Sequence, residues 1–163
     1  MTRSGLNRLG MLLLPWALAG NLNAAQPQIR SRPSMDHNAT ASMQTAAAKH
    51  AVERYFQAAD SGGAEAVRNA FLPNGRVEGV LGGKIVSWTA AEFAERNFRG
   101  SPPANVEAIR RTIEWLDVSG PGAVARVRVN IGANAVYWDY FILFNVSGEW
   151  KIGLKAFANP EQK

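Results

Sequence analysis

No cysteine occurs anywhere in the 163 residues, and histidine occurs only twice. The first absence excludes disulfides and thiol chemistry, so stability has to come from packing. The second leaves too few ligands for a histidine-based metal cluster. His37 and His50 also lack the neighbours that a Ser-His-Asp arrangement needs. No metal or cofactor is called for. Long apolar runs are missing too: Leu9–Gly20 (LGMLLLPWALAG) is only 12 residues and contains Pro15, against about 20 for a helix that spans a bilayer.

What the chain does have at its start is an export pattern. Arg3 and Arg8 precede the short apolar run, and Ala24 and Ala25 follow it at the distance of a cleavage site. Residues 1–25 are therefore predicted to be a signal peptide, cut near Ala24 or Ala25, and the protein to be periplasmic or secreted without stable membrane insertion. Removing them leaves 138 residues, enough for one domain with a real core. Two of the 18 basic residues leave with the signal, so 16 face 13 acidic ones. A net +3 does not imply a nucleic-acid partner.

Residues 26–42, rich in Pro, Ser and Asn at their start, are expected to be a flexible lead-in, and 43–159 the folded domain. Ala48, Ala51, Val52, Tyr55, Phe56 and Ala59 share one helical face. A short second helix over Ala64–Phe71 stops at Pro73. Gly75–Leu81 and Lys84–Trp88 read as two strands around a Gly-Gly turn, a hairpin rather than a phosphate loop. Thr89 and Glu92 have the spacing of a capping box, which predicts a third helix from Ala90 to about Phe98. FRGSPPAN, after it, is a candidate pocket rim.

From Asn105 onward the pattern has period two. Ala125, Val127, Val129 and Ile131 share a face, with Arg126, Arg128 and Asn130 on the other. Val106–Val118 is the expected partner strand. Its Arg110, Thr112 and Glu114 would meet those arginines in a solvated, self-paired face. YWDYFILFNVSGEWKIGLKAF, residues 137–157, then gives two strands joined at NVSG. Helices followed by a long antiparallel meander define an α+β fold with helices on one face of a curved sheet.

Three segments resemble the nuclear transport factor 2-like superfamily, and within it the exported family labelled putative lumazine-binding. They are VERYFQAADSGGAEAVRNAFLPNGRVEGV at Val52–Val80, SWTAAEF at Ser87–Phe93 and WDYFILFNVSGEWKIGLKAF at Trp138–Phe157. The resemblance implies a cystatin-like cone, with three N-terminal helices packed on a strongly curved, mostly antiparallel sheet. It implies a ligand pocket on the concave face and a homodimer through the convex face. The superfamily includes enzymes, carriers and dimerisation modules, so fold alone does not select among them.

Asp139 stands out because it interrupts an apolar strand. Tyr137, Asp139, Phe141 and Leu143 share one face, and Trp138, Tyr140, Ile142 and Phe144 the other. Facing inward, the Asp139 carboxyl would sit in an apolar cavity and rise in pKa unless a partner such as Arg111 held its charge. By resemblance to the ketosteroid isomerases, Asp139 and Tyr55 fall where those enzymes keep an oxyanion hole; the handling of such a protonated acid is a known pattern. The resemblance puts the general base at Gly79, which has no side chain. Its neighbour Glu78 should face the other way unless a bulge at Gly79 turns it back. Candidate catalytic residues are thus Asp139, Tyr55 and Glu78. Candidate ligand-binding residues are Tyr55, Trp88, Trp115, Asp139, Phe141 and Trp150. Asp139 and Tyr55 are equally open to purely structural roles, and the aromatics to membership of the core. The expected ligand is a small apolar or aromatic carbonyl compound, held by a carrier or turned over by an isomerase, dehydratase or cyclase. A scaffold whose cone is plugged by its own side chains is the third possibility.

Overall fold

The structure, a computed structural model, describes residues 35–133 and 135–158. The expected signal peptide and the first part of the lead-in lie outside the described residues. Helix α1 covers Met35–Ser61, so the described end of the expected lead-in is helical. Ala48, Ala51, Val52, Tyr55, Ala58 and Ala59 form its buried face. Four alanines in that set let the helix axis lie close to the sheet. Helix α2 is shorter than its sequence suggested, Ala64–Asn69, because Phe71 already begins a strand. Helix α3, Ala90–Asn97, starts at the expected capping box: Glu92 N–H donates to Thr89 Oγ1 at 3.2 Å and Thr89 N–H donates to Glu92 Oε2 at 2.8 Å. The Thr89 N–H, and after it the Thr89 hydroxyl donating to Oε2 at 2.9 Å, hold the exposed Glu92 carboxyl below its ordinary 4.5.

Six strands follow: β1 Phe71–Leu81, β2 Lys84–Thr89, β3 Ile109–Ser119, β4 Gly122–Ile131, β5 Ala135–Val146 and β6 Glu149–Ala158. They form one curved, open sheet in the order β2-β1-β6-β5-β4-β3. Only β1 with β6 is parallel; every other pair is antiparallel. The helices cover one face, and the core lies between them and Val77, Ala125, Val127, Phe141, Leu143 and Ile152. On the opposite face the solvated pattern expected of β3 and β4 is present. Thr112 stands opposite Arg128, and Arg126 meets Glu114 at 3.5 Å.

Two irregularities decide which side chains reach the concave face. In β3 the register shifts between Ile113 and Trp115, leaving Glu114 unpaired. Ile109, Arg111 and Ile113 turn inward before the bulge, Leu116 and Val118 after it. Trp115, which strict alternation would turn inward, therefore faces out and is half exposed. In β6 the register shifts at Gly153, between Ile152 and Leu154. Trp150 and Ile152 point inward before it, and Lys155 and Phe157 after it. One extra residue thus turns a lysine into the interior.

Candidate functional site

Lys155 meets Asp139 there. Asp139 does face inward, and its Oδ1 accepts from Lys155 Nζ at 2.8 Å, with the two side chains 12% and 7% exposed. The partner is not Arg111, whose guanidinium instead pairs with Asp60 and lies over the Phe56 ring. Two buried charges with no partners would cost several kcal/mol each, so the pair exists because each neutralises the other. The ammonium is held further by aromatic faces, with Nζ 5.0 Å from the Phe157 centroid, 5.8 Å from Phe93 and 5.9 Å from Phe141.

Above the pair is a cleft of about 260 Å³. Its aromatic wall is Trp88, Phe93 and Phe157: Trp88 stacks at 14° to Phe157 and 27° to Phe93, with centroids 6.3 Å apart in both cases. Leu81, Val129, Ile131 and Tyr137 close the apolar sides, and Asn97 stands at the end of α3. Of the sequence candidates, Trp88 and Asp139 line this cleft. Tyr55 and Phe141 lie in the core instead, with ring centroids 5.4 Å apart. Trp150 is core as well, and its indole N–H donates to Gln44 Oε1 at 3.1 Å. Trp115 is on the far side of the sheet. None of the residues of FRGSPPAN lines the cleft.

Asp139 and Tyr55 are placed differently: Asp139 lines the cleft, paired with Lys155, while Tyr55 is buried in the core and is not part of the lining. Among the described residues, the Tyr55 hydroxyl makes no hydrogen bond to Asp139. Burial pushes its phenol far above the usual range, and the Asp139 charge adds to that, so it stays protonated. Glu78 does not line this cleft. It faces outward, accepting from Arg76 Nε at 3.2 Å and Ser87 Oγ at 3.1 Å. No bulge at Gly79 returns it, because β1 pairs continuously with both neighbours from Arg76 to Val80. Gly79 itself leaves room for Phe157: a Cβ there would run into the Phe157 carbonyl and meet its ring at 2.8 Å.

A larger groove of about 480 Å³ lies between α1, α2 and β6, but its cations are already committed. Arg54 donates to the Trp150 carbonyl at 3.3 Å and Lys151 to the Asn69 carbonyl at 2.7 Å. Among the described residues, no cluster of three or more acidic or histidine side chains could hold a metal. No helix among them is long and apolar enough to cross a membrane.

Helices on the concave face of an open, curved six-stranded sheet, with a cleft between them, define the nuclear transport factor 2-like, cystatin-like fold. Solved structures with this fold include a protein of unknown function from Methylobacillus flagellatus, 24% identical over 72% of this chain and 93% of that one, TM-score 0.63. One with a cystatin-like fold from Novosphingobium aromaticivorans is 16% identical over 83% and 94%, TM-score 0.64. A ketosteroid isomerase-like protein from Erwinia carotovora is 17% identical over 73% and 98%, TM-score 0.56. At these identities the likeness is one of fold. Residues 43–158 match the family described as putative lumazine-binding, and the chain belongs to that family. No curated protein matches the sequence.

Proposed function

We propose that this chain is an exported carrier that holds a small, flat, largely apolar molecule in the cleft over Asp139 and Lys155. One observation carries the proposal: a concave, aromatic-walled cleft has a buried ion pair at its floor. Apolar walls supply affinity and a few polar groups fix orientation, which is the usual composition of a small-molecule site. The family's description supports a ligand of this size and shape. Carriage is favoured over isomerisation because Glu78 points away and Gly79 has no side chain. The plugged-scaffold alternative is disfavoured by the open cleft itself.

Native mass spectrometry of the protein purified gently from a periplasm tests the proposal. The expected spectrum carries one non-covalent small-molecule mass per chain, lost in Trp88→Ala. An apo spectrum for the unaltered protein, with no uptake of added flat aromatic compounds, would overturn it. Export is part of the same proposal, supported by the pattern of residues 1–25. N-terminal sequencing of the exported protein should begin just after Ala24 or Ala25, and an intact Met1 would contradict it.

A further inference from the structure

The ion pair at the floor of the cleft is equipped for covalent chemistry as well as for binding. Lysine is seldom buried, because desolvating its ammonium is costly. Here the extra residue in β6 turns Lys155 inward and leaves its side chain 7% exposed. It still belongs to the lining of the cleft, so a bound molecule meets it. An amine that is both desolvated and within reach of a ligand is the setting in which lysines form Schiff bases. The other lysines of the described residues lack that combination: Lys49 and Lys84 are exposed, and Lys151 lies in the groove between α1, α2 and β6.

Asp139 supplies the second requirement, a proton acceptor. Lysine attacks a carbonyl only as the free amine, and Asp139 Oδ1, 2.8 Å from Nζ, is placed to take its proton. Transfer across that contact replaces two buried charges with a neutral acid and a neutral amine, so desolvation does not oppose it. The third requirement is a site that tolerates a cationic product. Nζ lies 5.0 Å from the Phe157 centroid, 5.8 Å from Phe93 and 5.9 Å from Phe141, and these faces attract an iminium as they attract an ammonium.

From this arrangement we propose that Lys155 captures an aldehyde as an imine, with Asp139 first as proton acceptor and then as counter-ion. Having passed a proton to Asp139, Nζ attacks the carbonyl carbon; the C–N bond forms and the C=O bond opens. The carbonyl oxygen takes one proton from the attacking nitrogen and one from Asp139, and leaves as water. What remains is a protonated C=N beside a carboxylate. The cleft begins and ends with one positive and one negative charge, so capture leaves neither buried alone. The aldehyde is one carried on a flat apolar ring, which lies against Trp88 and Phe157 while its carbonyl reaches Nζ. In a cleft of about 260 Å³ an aldehyde is favoured over a ketone, because its second substituent is only hydrogen.

Because capture requires the aldehyde to enter the cleft, it rests on the binding proposal above, and paired probes separate the two. The protein is mixed with 6-dimethylamino-2-naphthaldehyde and, separately, with the matching alcohol, which has no carbonyl. The aldehyde should develop the red-shifted absorption band of a protonated imine, saturating at one per chain, and borohydride should fix it on Lys155. Peptide mapping should find at least about tenfold more label there than on Lys49, Lys84 or Lys151, the gain expected from holding both reactants in one site. The double variant Asp139→Leu/Lys155→Met should bind the alcohol and show no band. Calorimetric binding of the alcohol without a band from the aldehyde, or label spread evenly over the lysines, would overturn capture and leave the carrier proposal standing. A band that survives in the double variant would also overturn capture. Binding of neither probe would overturn both. Because the two probes are compared on the unaltered protein, the test holds even if the double variant does not fold.

Discussion

At the scale of single residues, Lys155 is the side chain on which the interior most depends. Replacing it with methionine leaves the Asp139 carboxylate buried without a counter-ion, which typically costs about 3–5 kcal/mol. That is a large share of the roughly 5–15 kcal/mol that holds a domain together. Denaturant unfolding of Lys155→Met should therefore show a severe loss of stability or no folded baseline. The double variant Asp139→Leu/Lys155→Met should regain most of the loss, since an apolar pair of similar volume is often as stable as a buried ion pair. If the double variant is no better than the single one, the ion pair is not what makes Lys155 necessary. Asp139 was legible in the sequence because a charge in an apolar run is conspicuous. Lys155 was not, because counting by twos from Trp150 turns it to solvent.

At the scale of elements, bulges explain the main differences between pattern and structure. The extra residue at Gly153 reverses the phase of β6, and the one at Glu114 reverses that of β3. One brings Lys155 in; the other takes Trp115 out. Period-two counting has no means of locating such a slip, although a glycine inside a strand is a known sign of one. Gly153 is that sign, while Glu114 carries no comparable signal. Helix starts were easier to read, because Thr89 and Glu92 are local chemistry that requires no knowledge of register. Thr89→Ala should destabilise the domain by about 1 kcal/mol. The pH dependence follows from the depressed Glu92 carboxyl. A group with a folded pKa below its unfolded one contributes stability above the unfolded value, and loses it as pH falls through the folded value. The unaltered protein should lose this contribution as pH drops below about 4.5. Thr89→Ala should flatten that part of the acid limb, and an unchanged slope in acid unfolding curves would contradict the capping account.

At the scale of the whole molecule, the convex face of the sheet is the feature a lone chain leaves unresolved. Trp115, Val124, Tyr140, Ile142, Phe144 and Val146 are all exposed on it. A contiguous apolar surface of this kind is characteristic of an interface. The strand Trp138–Phe144, apolar on both faces, is what predicts a homodimer through this face, and we retain that pairing as a proposal. Sedimentation should give twice the chain mass, and Ile142→Asp should halve it while leaving the circular dichroism spectrum unchanged. A monomer at micromolar concentration would contradict the pairing. The α+β architecture was legible at this scale because helical and strand periodicities are segregated along the chain. The contents of the cleft were not, since they depend on which residues two bulges turn inward.

The central claim, a ligand cleft over Asp139 and Lys155, is tested most directly by mapping amide chemical shifts in ¹⁵N-labelled protein during titration with a panel of flat bicyclic heterocycles. The account predicts saturable shifts confined to the cleft: the Trp88 indole N–H, Asn97, Asp139, Lys155 and Phe157. Shifts confined to the convex face, or none with any compound at millimolar concentration, would contradict it.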